Sequence, residues 1–302
     1  MDRKPLFWTY VKLLLMAFFW GGTFIAGRVV VRDVEPCSAA FLRFAIASVL
    51  LAAIAWRQER RSMLLRADQI LPVVVLGLSG IFAYNILFMK GLKLIEAGRA
   101  SMIIANNPIL IALCSAFFFK EKLTPIRLAG ILVSISGAVV VISRGHPGSL
   151  FRGGIGPGEI MIFGCVACWV TFSLVGKAVM RRLGPLPSVT YAVLVGTLAL
   201  AWPAFAEGLA GKMAAYRVRD WVSLAFLGVL GTVVGFVWFY QGIQKIGAMR
   251  TGLFISFVPI SAVFLAFLIL GEPITASLLV GTVLVTAGVC MTNRTVETGR
   301  AG

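Results

Sequence analysis

Two related stretches organise this chain: ILPVVVLGLSGIFAYNILFMKGLKL at residues 70–94 and WVSLAFLGVLGTVVGFVWFYQGIQK at residues 221–245. Residues in and after them match at a spacing of 151: Gly77 with Gly228, Gly91 with Gly242, Pro108 with Pro259, Glu121 with Glu272 and Gly137 with Gly288. A constant spacing that holds at Gly, Pro and Glu indicates an internal duplication. The earlier parts of the two halves match at a spacing of 149, as in Trp20 with Trp169 and Pro36 with Pro185. We therefore expect two repeats, residues 1–148 and 149–302.

The composition is that of an integral membrane protein. Of 302 residues, 59% are hydrophobic and 13% are charged, and the mean hydropathy is +0.95, whereas about a quarter of the residues of a soluble domain are charged. The net charge of +16 comes from Lys and Arg in short connectors, a pattern typical of topology signals and contacts with lipid headgroups. It therefore does not indicate a nucleic-acid partner.

Apolar runs long enough to cross a bilayer recur along the whole chain. About 20 residues are needed to span ~30 Å of hydrocarbon, and we identify ten such runs, at 9–31, 37–56, 70–90, 97–119, 126–143, 157–179, 187–206, 220–242, 249–270 and 275–292. Five runs in each half make the second repeat enter the membrane from the opposite side. The predicted fold is all-α, with ten transmembrane helices as two inverted five-helix repeats around a central cavity.

Basic residues predict the orientation in the membrane. With a cytoplasmic N-terminus, 17 Lys and Arg residues fall on the inner side and 10 on the outer side, and Arg43 lies within the second span. This asymmetry favours cytoplasmic N- and C-termini by the positive-inside rule. We expect a multi-pass protein of the cell's inner (plasma) membrane, in contact with membrane lipid.

Paired prolines predict interrupted helices. Pro108 and Pro259 are repeat mates near the middle of their spans, and each leaves one backbone carbonyl without its helical partner. Asn106, Asn107 and Ser256 stand beside them, and such polar groups are costly against lipid. Matching breaks in an inverted repeat indicate a central binding site. The alternative is that each proline only shapes helix packing.

Aromatic residues give a second indication of that site. Trp and Tyr usually collect at membrane interfaces, but Trp20, Tyr84, Trp169 and Trp238 fall near the middle of the first, third, sixth and eighth spans. Their rings offer a stiff apolar surface with a polar tip, which suits a substrate-binding pocket. Core packing between helices is the alternative for each of them.

Charged residues place limits on the chemistry of this pocket. No Asp, Glu, His, Lys or Arg falls at the predicted midplane of a span, so we expect an uncharged cavity that takes a net-neutral, zwitterionic or apolar substrate without a buried proton relay. Cys165 and Cys168 have CxxC spacing but no partner pair and no nearby His, which favours packing over a metal site. We expect no metal, no cofactor and no catalytic residues.

Several motifs resemble those of a known family. They are the run WGGTF at residues 20–24, Glu121 after the fourth span, and LGEP at residues 270–273 before the glycines of the last span. Together with the repeat they resemble the drug/metabolite transporter (DMT) superfamily and its EamA-type exporters, most closely the bacterial inner-membrane exporters of aromatic and other neutral amino acids. The resemblance implies that the first four helices of each half line the cavity, while the fifth and tenth pack as supports.

The resulting hypothesis is a secondary transporter that exports amino acids or related small metabolites by alternating access. Substrate would bind between the halves, and Gly77 and Gly228 would let their helices slide or bend. A multidrug efflux transporter of the same fold is one alternative. An integral-membrane enzyme is another, but the sequence contains no HExxH, paired aspartates, P-loop or Ser/His/Asp set. We expect no enzyme activity, and a monomer, because ten spans can enclose a path in one chain.

Overall fold

The computed structural model describes residues 3–59, 65–119, 124–146, 155–246 and 248–293, and the regular elements in these ranges are all helical. In chain order the helices are α1 (Arg3–Val30), α2 (Pro36–Glu59), α3 (Ala67–Leu94), α4 (Ala97–Ile104), α5 (Asn107–Phe119), α6 (Pro125–Ile142), α7 (Pro157–Leu183), α8 (Pro185–Ala206), α9 (Leu209–Lys212), α10 (Val218–Ile246), α11 (Ala248–Ile255), α12 (Phe257–Leu265) and α13 (Ala276–Asn293). A 3₁₀ turn, Met213–Ala215, follows α9, and a π-helical turn, Ala266–Leu270, continues α12.

Proline starts several of these helices. Pro125, Pro157 and Pro185 stand in the first turn of α6, α7 and α8, where the missing N–H is not needed and the fixed φ already suits the helix. The Thr124 hydroxyl also accepts a hydrogen bond from the Arg127 backbone N–H at 3.4 Å, which caps the start of α6.

Eight helical segments of the described chain are long and apolar enough to cross a membrane, and one of them, Arg250–Leu270, runs through the turn between α11 and α12. Ala276–Thr292 is apolar but shorter. The predicted fourth span is absent from this set because it is divided into α4 and α5, with Ala105 and Asn106 in a turn between them. The expected count of ten spans is therefore not confirmed by the lengths of the helices, whereas the all-helical membrane fold is.

Both predicted prolines lie close to an interruption. Pro108 follows the turn between α4 and α5, and Pro259 follows the turn at Ser256 between α11 and α12. A proline that removes an N–H and crowds the carbonyl four residues earlier breaks the helix in this way. Glu121, which the sequence pairs with Glu272, lies outside the described residues.

Each of α3 and α10 contains a π-helical segment at its matching glycines. The segments are Gly77–Ala83 and Phe226–Val234, and side chains bond to backbone carbonyls there. Asn85 Nδ2 donates to the Ile81 carbonyl at 2.8 Å, and the Thr232 hydroxyl donates to the Leu227 carbonyl at 2.8 Å. Such bulges widen the helix locally and are frequent at functional sites.

Helices of one half pack against helices of the other half, and the same pairing recurs when the halves are exchanged. α1 packs on α12, and its match α7 packs on α4 and α5; α3 packs on α7 and α8, and its match α10 packs on α1 and α2. The remaining large contacts join α2 to α8 and α6 to α13.

The contact between α6 and α13 depends on glycine. A Cβ at Gly288 would lie 2.5 Å from the Gly130 carbonyl oxygen, and one at Gly137 would lie 2.8 Å from the Val285 backbone nitrogen. Both distances are too short for any side chain, so the two backbones approach as closely as glycine permits. The close packing that the sequence predicts for the fifth and tenth apolar runs is confirmed.

Candidate functional site

A cavity of about 800 Å³ lies between the two halves of the chain. Pockets that enclose drug-sized ligands measure roughly 300–1,000 Å³, so the cavity is large enough for a small-molecule ligand. Its walls come from α1, α2, α3, α7 and α10, from both helix interruptions and from the last turns of α13. Aromatic and aliphatic side chains form most of the surface, with a few polar groups, among them Thr23, Arg43, Asn85, Ser101, Asn107, Ser256 and Thr286.

The described residues that line the cavity extend to one end of the helix bundle. Arg127 at the start of α6, Lys177 near the end of α7 and Thr292 near the end of α13 line it there. α3 also begins at this end, because Asp68 in its first turn pairs with Arg182 in the last turn of α7 at 3.1 Å. The cavity is therefore accessible from the end of the bundle where α1, α3 and α6 begin.

Polar contacts close the opposite end. The Arg99 guanidinium, at the start of α4, lies 2.9 Å from the Glu159 carboxylate of α7. The Glu272 carboxylate accepts hydrogen bonds from the backbone N–H groups of Ala97 at 2.9 Å and Gly98 at 3.0 Å. It thereby ties the segment after α12 to the first turn of α4, where a negative charge is favoured by the helix dipole.

A second carboxylate closes the same end in a similar way. Glu207, directly after α8, accepts hydrogen bonds from the backbone N–H groups of Cys37 at 3.1 Å and Ser38 at 2.8 Å. Burial raises the pKa of Glu207, but the hydrogen bonds from Cys37 and Ser38 outweigh it, so the pKa lies below the usual glutamate value. The carboxylate therefore stays ionised and holds the start of α2 at neutral pH.

Three of the four predicted aromatic residues line the cavity. Trp20 Nε1 donates to the Gly231 carbonyl at 3.0 Å, which fixes its ring against α10. Tyr84 and Trp169 come from different halves, with ring centroids 5.7 Å apart, and Trp169 stacks on Phe172 at 5.3 Å. Tyr84, Trp169 and Phe172 form one continuous aromatic cluster, and Trp20 lines the cavity from α1.

Trp238, the fourth aromatic residue, does not line this cavity. Its ring lies 5.9 Å from that of Phe19, and the Lys12 ammonium lies 5.9 Å from the ring centroid. It packs with Leu13 and Met16 on the side of α1. The position of a residue along a span gives its depth in the membrane. It does not show which neighbouring helix the side chain faces.

The polar residues at the interruptions divide into two kinds. Asn107 and Ser256 line the cavity beside Pro108 and Pro259, and within the described part of the chain neither Asn107 Oδ1 nor Ser256 Oγ has a hydrogen-bond partner. Asn106 instead donates from Nδ2 to the Met102 carbonyl at 2.9 Å and accepts from the Ser134 hydroxyl at 2.8 Å. Asn106 thus fastens the interruption to α6, and it does not line the cavity.

The two predicted hinge glycines lie in close helix contacts. A Cβ at Gly77 would lie 2.7 Å from Val195 Cβ on α8, and one at Gly228 would lie 2.7 Å from the Arg43 carbonyl oxygen on α2. Any side chain at either position would separate the helices. Their use as hinges stays a prediction.

The expectation of an uncharged cavity is wrong. Arg43 is 7% exposed and lines the cavity, with its guanidinium bonded to Asn85 and Thr232 at 3.2 Å each. From the sequence, Arg43 falls within the second span and has no place in the predicted pocket. Its two acceptors lie on α3 and α10, and a linear sequence does not show that these meet. Among the described residues that line the cavity, none is Asp, Glu or His.

Thr286 is a further polar residue that the sequence analysis missed. It lies on α13, lines the cavity, and its hydroxyl oxygen has no partner. Its presence shows that the last helix contributes to the wall as well as to packing. A polar residue within an apolar run was the available signal for Thr286, as it was for Asn85 and Thr232.

Several known proteins are similar to this chain over most of its length. It is 30% identical over 281 residues to a Bacillus subtilis protein described as "Uncharacterized transporter YyaM", covering 93% of this chain and 92% of that protein. It is 29% identical over 285 residues to a "Probable terminal-alkyne amino-acid exporter" of Streptantibioticus cattleyicolor, covering 93% and 92%. A solved structure described as "Crystal structure of protein" shares the fold, with a TM-score of 0.65, 20% identity and 96% coverage of both chains.

The sequence pattern of the EamA-like transporter family matches residues 7–143 and again residues 156–294. The two matches cover most of the chain, and they agree with its apolar helices and with the transporter descriptions of its relatives. The protein is a membrane protein of the EamA-like transporter family, within the DMT superfamily.

Proposed function

We propose that this protein exports amino acids, with aromatic or other neutral ones as the main class, or closely related small metabolites. The carrying observation is the cavity of about 800 Å³, which combines the ring wall of Trp20, Tyr84 and Trp169 with unpartnered polar atoms of Asn107 and Ser256. The rings would bind an apolar side chain, and the polar atoms would bind the charged groups of the amino acid. The description of one relative as an amino-acid exporter supports this class.

We propose alternating access between two inverted five-helix repeats, residues 1–148 and 149–302. The exchanged packing pairs support it, because α1 on α12 corresponds to α7 on α4 and α5 when the halves are swapped. In this interpretation α4 with α5, and α11 with α12, each form one interrupted span, which brings the number of spans to ten. Rocking of one repeat against the other would close the present opening and open the opposite end.

We propose that the open end faces the cytoplasm and that the protein resides in the inner membrane as a monomer. The positive-inside rule assigns the start of α1 to the cytoplasm, and the cavity is open at that same end. An exporter in this state is ready to take substrate from inside the cell. Lipid contacts the outer helix faces, where side chains such as Trp202 at 83% exposure and Phe117 at 79% are apolar.

A multidrug transporter of the same fold is the second candidate. Its cavity would also be aromatic, and the wall around Trp169 would suit a flat cation. The fixed positive charge of Arg43 in the wall disfavours cationic drugs by repulsion. The family and its relatives are transporters, so an integral-membrane enzyme is a weaker candidate than either.

Efflux from cells separates these candidates. Cells that overproduce the protein would be fed dipeptides that release aromatic amino acids, and extracellular amino acids and drug tolerance would be measured in parallel. Amino-acid export predicts a several-fold rise in the extracellular amino acid with unchanged drug tolerance. Drug tolerance without amino-acid efflux would support the multidrug alternative and overturn the proposal.

A further inference from the structure

We propose that the Arg43 guanidinium is the binding site for a carboxylate of the substrate, so that a carboxylate is the group that admits a compound to the cavity. This inference rests on the proposed function, whose substrates are small amino acids or metabolites, and it names the chemical group that selects among them. It depends on the hydrogen bonding, the charge and the position of one side chain.

Arg43 has hydrogen-bond donors to spare. A guanidinium carries five N–H donors and no acceptor. One of its terminal nitrogens donates to Asn85 Oδ1 and the other to Thr232 Oγ1, each at 3.2 Å, while Nε has no partner. The Nε–H and the terminal N–H beside it form the planar pair that binds a carboxylate through both oxygens.

The charge of Arg43 is not balanced. Within the described chain no Asp or Glu forms an ion pair with it, and both of its acceptors are neutral. The Phe44 ring lies 4.7 Å from the guanidinium carbon, which attracts a cation weakly but supplies no counter-charge. A buried cation without an anion is unfavourable, so an anionic ligand would be stabilised at this point of the wall.

The neighbours of Arg43 hold it in place from two other helices. Asn85 Nδ2 donates to the Ile81 carbonyl at 2.8 Å, which leaves Oδ1 turned toward the guanidinium. The Thr232 hydroxyl donates to the Leu227 carbonyl at 2.8 Å, so its lone pair accepts from Arg43. The guanidinium is therefore fixed before a ligand arrives, which reduces the entropy lost on binding.

The repeat indicates that the fold does not need this cluster. At the spacings given by the duplication, the positions equivalent to Arg43, Asn85 and Thr232 carry Ala192, Phe236 and Ile81. All three are apolar, so the equivalent positions, Ala192 and Phe236 in the second half and Ile81 in the first, carry no polar group. A charge present on one side only of a duplicated structure fits recognition of one end of a ligand better than helix packing.

The position of Arg43 matches the rest of the wall. Arg43 and Tyr84 both line the cavity. Arg43 donates to Asn85, the residue after Tyr84, and the Tyr84 ring is part of the wall shared with Trp169. An amino acid with its side chain against these rings would have its carboxylate near Arg43. Its ammonium would then have the unpartnered oxygens of Asn107 and Ser256 as acceptors.

Calorimetric titration of the purified protein tests this inference separately from transport. The ligands are sets of three compounds with one shared side chain: an amino acid, its deaminated carboxylic acid and its decarboxylated amine. We expect the wild type to bind the amino acid and the acid, and to bind the amine at least tenfold more weakly. Arg43→Gln should weaken binding of both carboxylates roughly 10- to 100-fold, the worth of a hydrogen bond to a charged group, and leave the amine unchanged.

Two further variants separate ligand binding from a structural role. Arg43→Lys keeps the charge and loses the planar fork, so its affinity for carboxylates should lie between those of the wild type and Arg43→Gln. Arg32→Gln removes an exposed arginine in the turn after α1 and should bind like the wild type. A purely structural role would lower thermal stability and weaken all three ligands of a set together.

The outcomes are distinct. Equal binding of acid and amine by the wild type, or equal carboxylate affinity in the wild type and Arg43→Gln, overturns this inference. Carboxylate binding that depends on Arg43, without transport of amino acids in liposomes, supports this inference and overturns the proposed function. A wild type that binds none of these compounds overturns both.

Discussion

The Arg99 guanidinium and the Glu159 carboxylate form an ion pair of 2.9 Å with side-chain exposures of only 11% and 5%. The pair joins the start of α4 to the start of α7 at the closed end of the cavity. Glu159 Oε2 also accepts a hydrogen bond from the Gly156 backbone N–H at 3.0 Å, and Arg99 also donates to the Ile142 carbonyl. This small network connects three helices at the end that the proposed alternating access would open.

Loss of Glu159 should destabilise the protein strongly. Removing one partner of a buried ion pair costs about 3–5 kcal/mol, because the other charge is left without a partner. We expect Glu159→Gln to lower the thermal unfolding temperature in detergent by several degrees. Glu35→Gln is the matched control, because Glu35 pairs with Lys93 at 3.5 Å while both side chains are 40% or more exposed, and its effect should be under about 1 kcal/mol. Equal shifts in the two variants would contradict this account.

Loss of Glu272 should open the closed end. Its carboxylate holds the backbone N–H groups of Ala97 and Gly98, and losing such a cap costs roughly 0.5–2 kcal/mol, enough to shift the population of a closed state severalfold. In a background without native cysteines, a cysteine at Ser101 should react several times faster with an impermeant thiol reagent from that end when Glu272 is changed to Ala. Glu272→Gln keeps an acceptor oxygen and should lie between. Unchanged labelling in Glu272→Ala would show that this contact does not control access.

Trp169 should matter more for transport than Trp202. Trp169 lies in the cavity wall between Tyr84 and Phe172, whereas Trp202 is 83% exposed on α8. Loss of aromatic contact with the substrate should reduce kcat/KM about 3- to 10-fold in Trp169→Ala, while Trp202→Ala stays within twofold of the wild type. Initial rates over a range of substrate concentrations measure this. Equal losses in both variants, or none, would remove Trp169 from the site.

The contribution of Glu207 to stability should vanish in acid. Its pKa is lower in the folded protein than in the unfolded chain, so the stabilisation is complete above the unfolded value and is lost as pH falls through the folded one. The wild type should therefore unfold at a higher temperature than Glu207→Gln at pH 7, and the gap should narrow at pH values below the usual glutamate pKa. Asp68→Asn, which removes an exposed carboxylate, serves as the control. If the difference in unfolding temperature between the wild type and Glu207→Gln stayed constant with pH, the carboxylate charge would be excluded as its cause.

Substitution of Gly288 should separate α6 from α13. A Cβ there would lie 2.5 Å from both the Gly130 carbonyl oxygen and the Ser134 backbone nitrogen, and overpacking of this kind costs about 1–3 kcal/mol or more. We expect Gly288→Ala to lower the unfolding temperature, and Gly211→Ala to leave it nearly unchanged, because a Cβ at Gly211 meets nothing within 4 Å. An unfolding temperature of Gly288→Ala equal to that of the wild type would contradict the close contact.

Much of the fold follows from the sequence because a bilayer imposes simple rules. A spanning segment must be long, apolar and helical, so the sequence predicts most helices within a few residues, and the family resemblance implies the supporting role of α6 and α13. The fourth span counts as one apolar run in the sequence, although Pro108 predicts an interruption in it, because hydropathy does not register a turn such as Ala105–Asn106.

The candidate site was less predictable because it depends on contacts between distant helices. Trp238 and Asn106 have suitable chemistry and depth, yet they face α1 and α6 instead of the cavity. The place of Arg43 in the cavity depends on Asn85 and Thr232, which lie on two other helices. The rotation of each helix about its axis is set by packing, and a single sequence does not contain it.

Uptake by liposomes that contain only the purified protein tests the central claim most directly. Neutral, acidic and basic amino acids and one cationic drug would be offered in parallel, with protein-free liposomes as the blank. We predict saturable uptake of at least one neutral amino acid, reduced in Trp169→Ala, and no uptake of the drug. Uptake of the drug alone, or amino-acid uptake no faster than in protein-free liposomes, would contradict an amino-acid transporter built around this cavity.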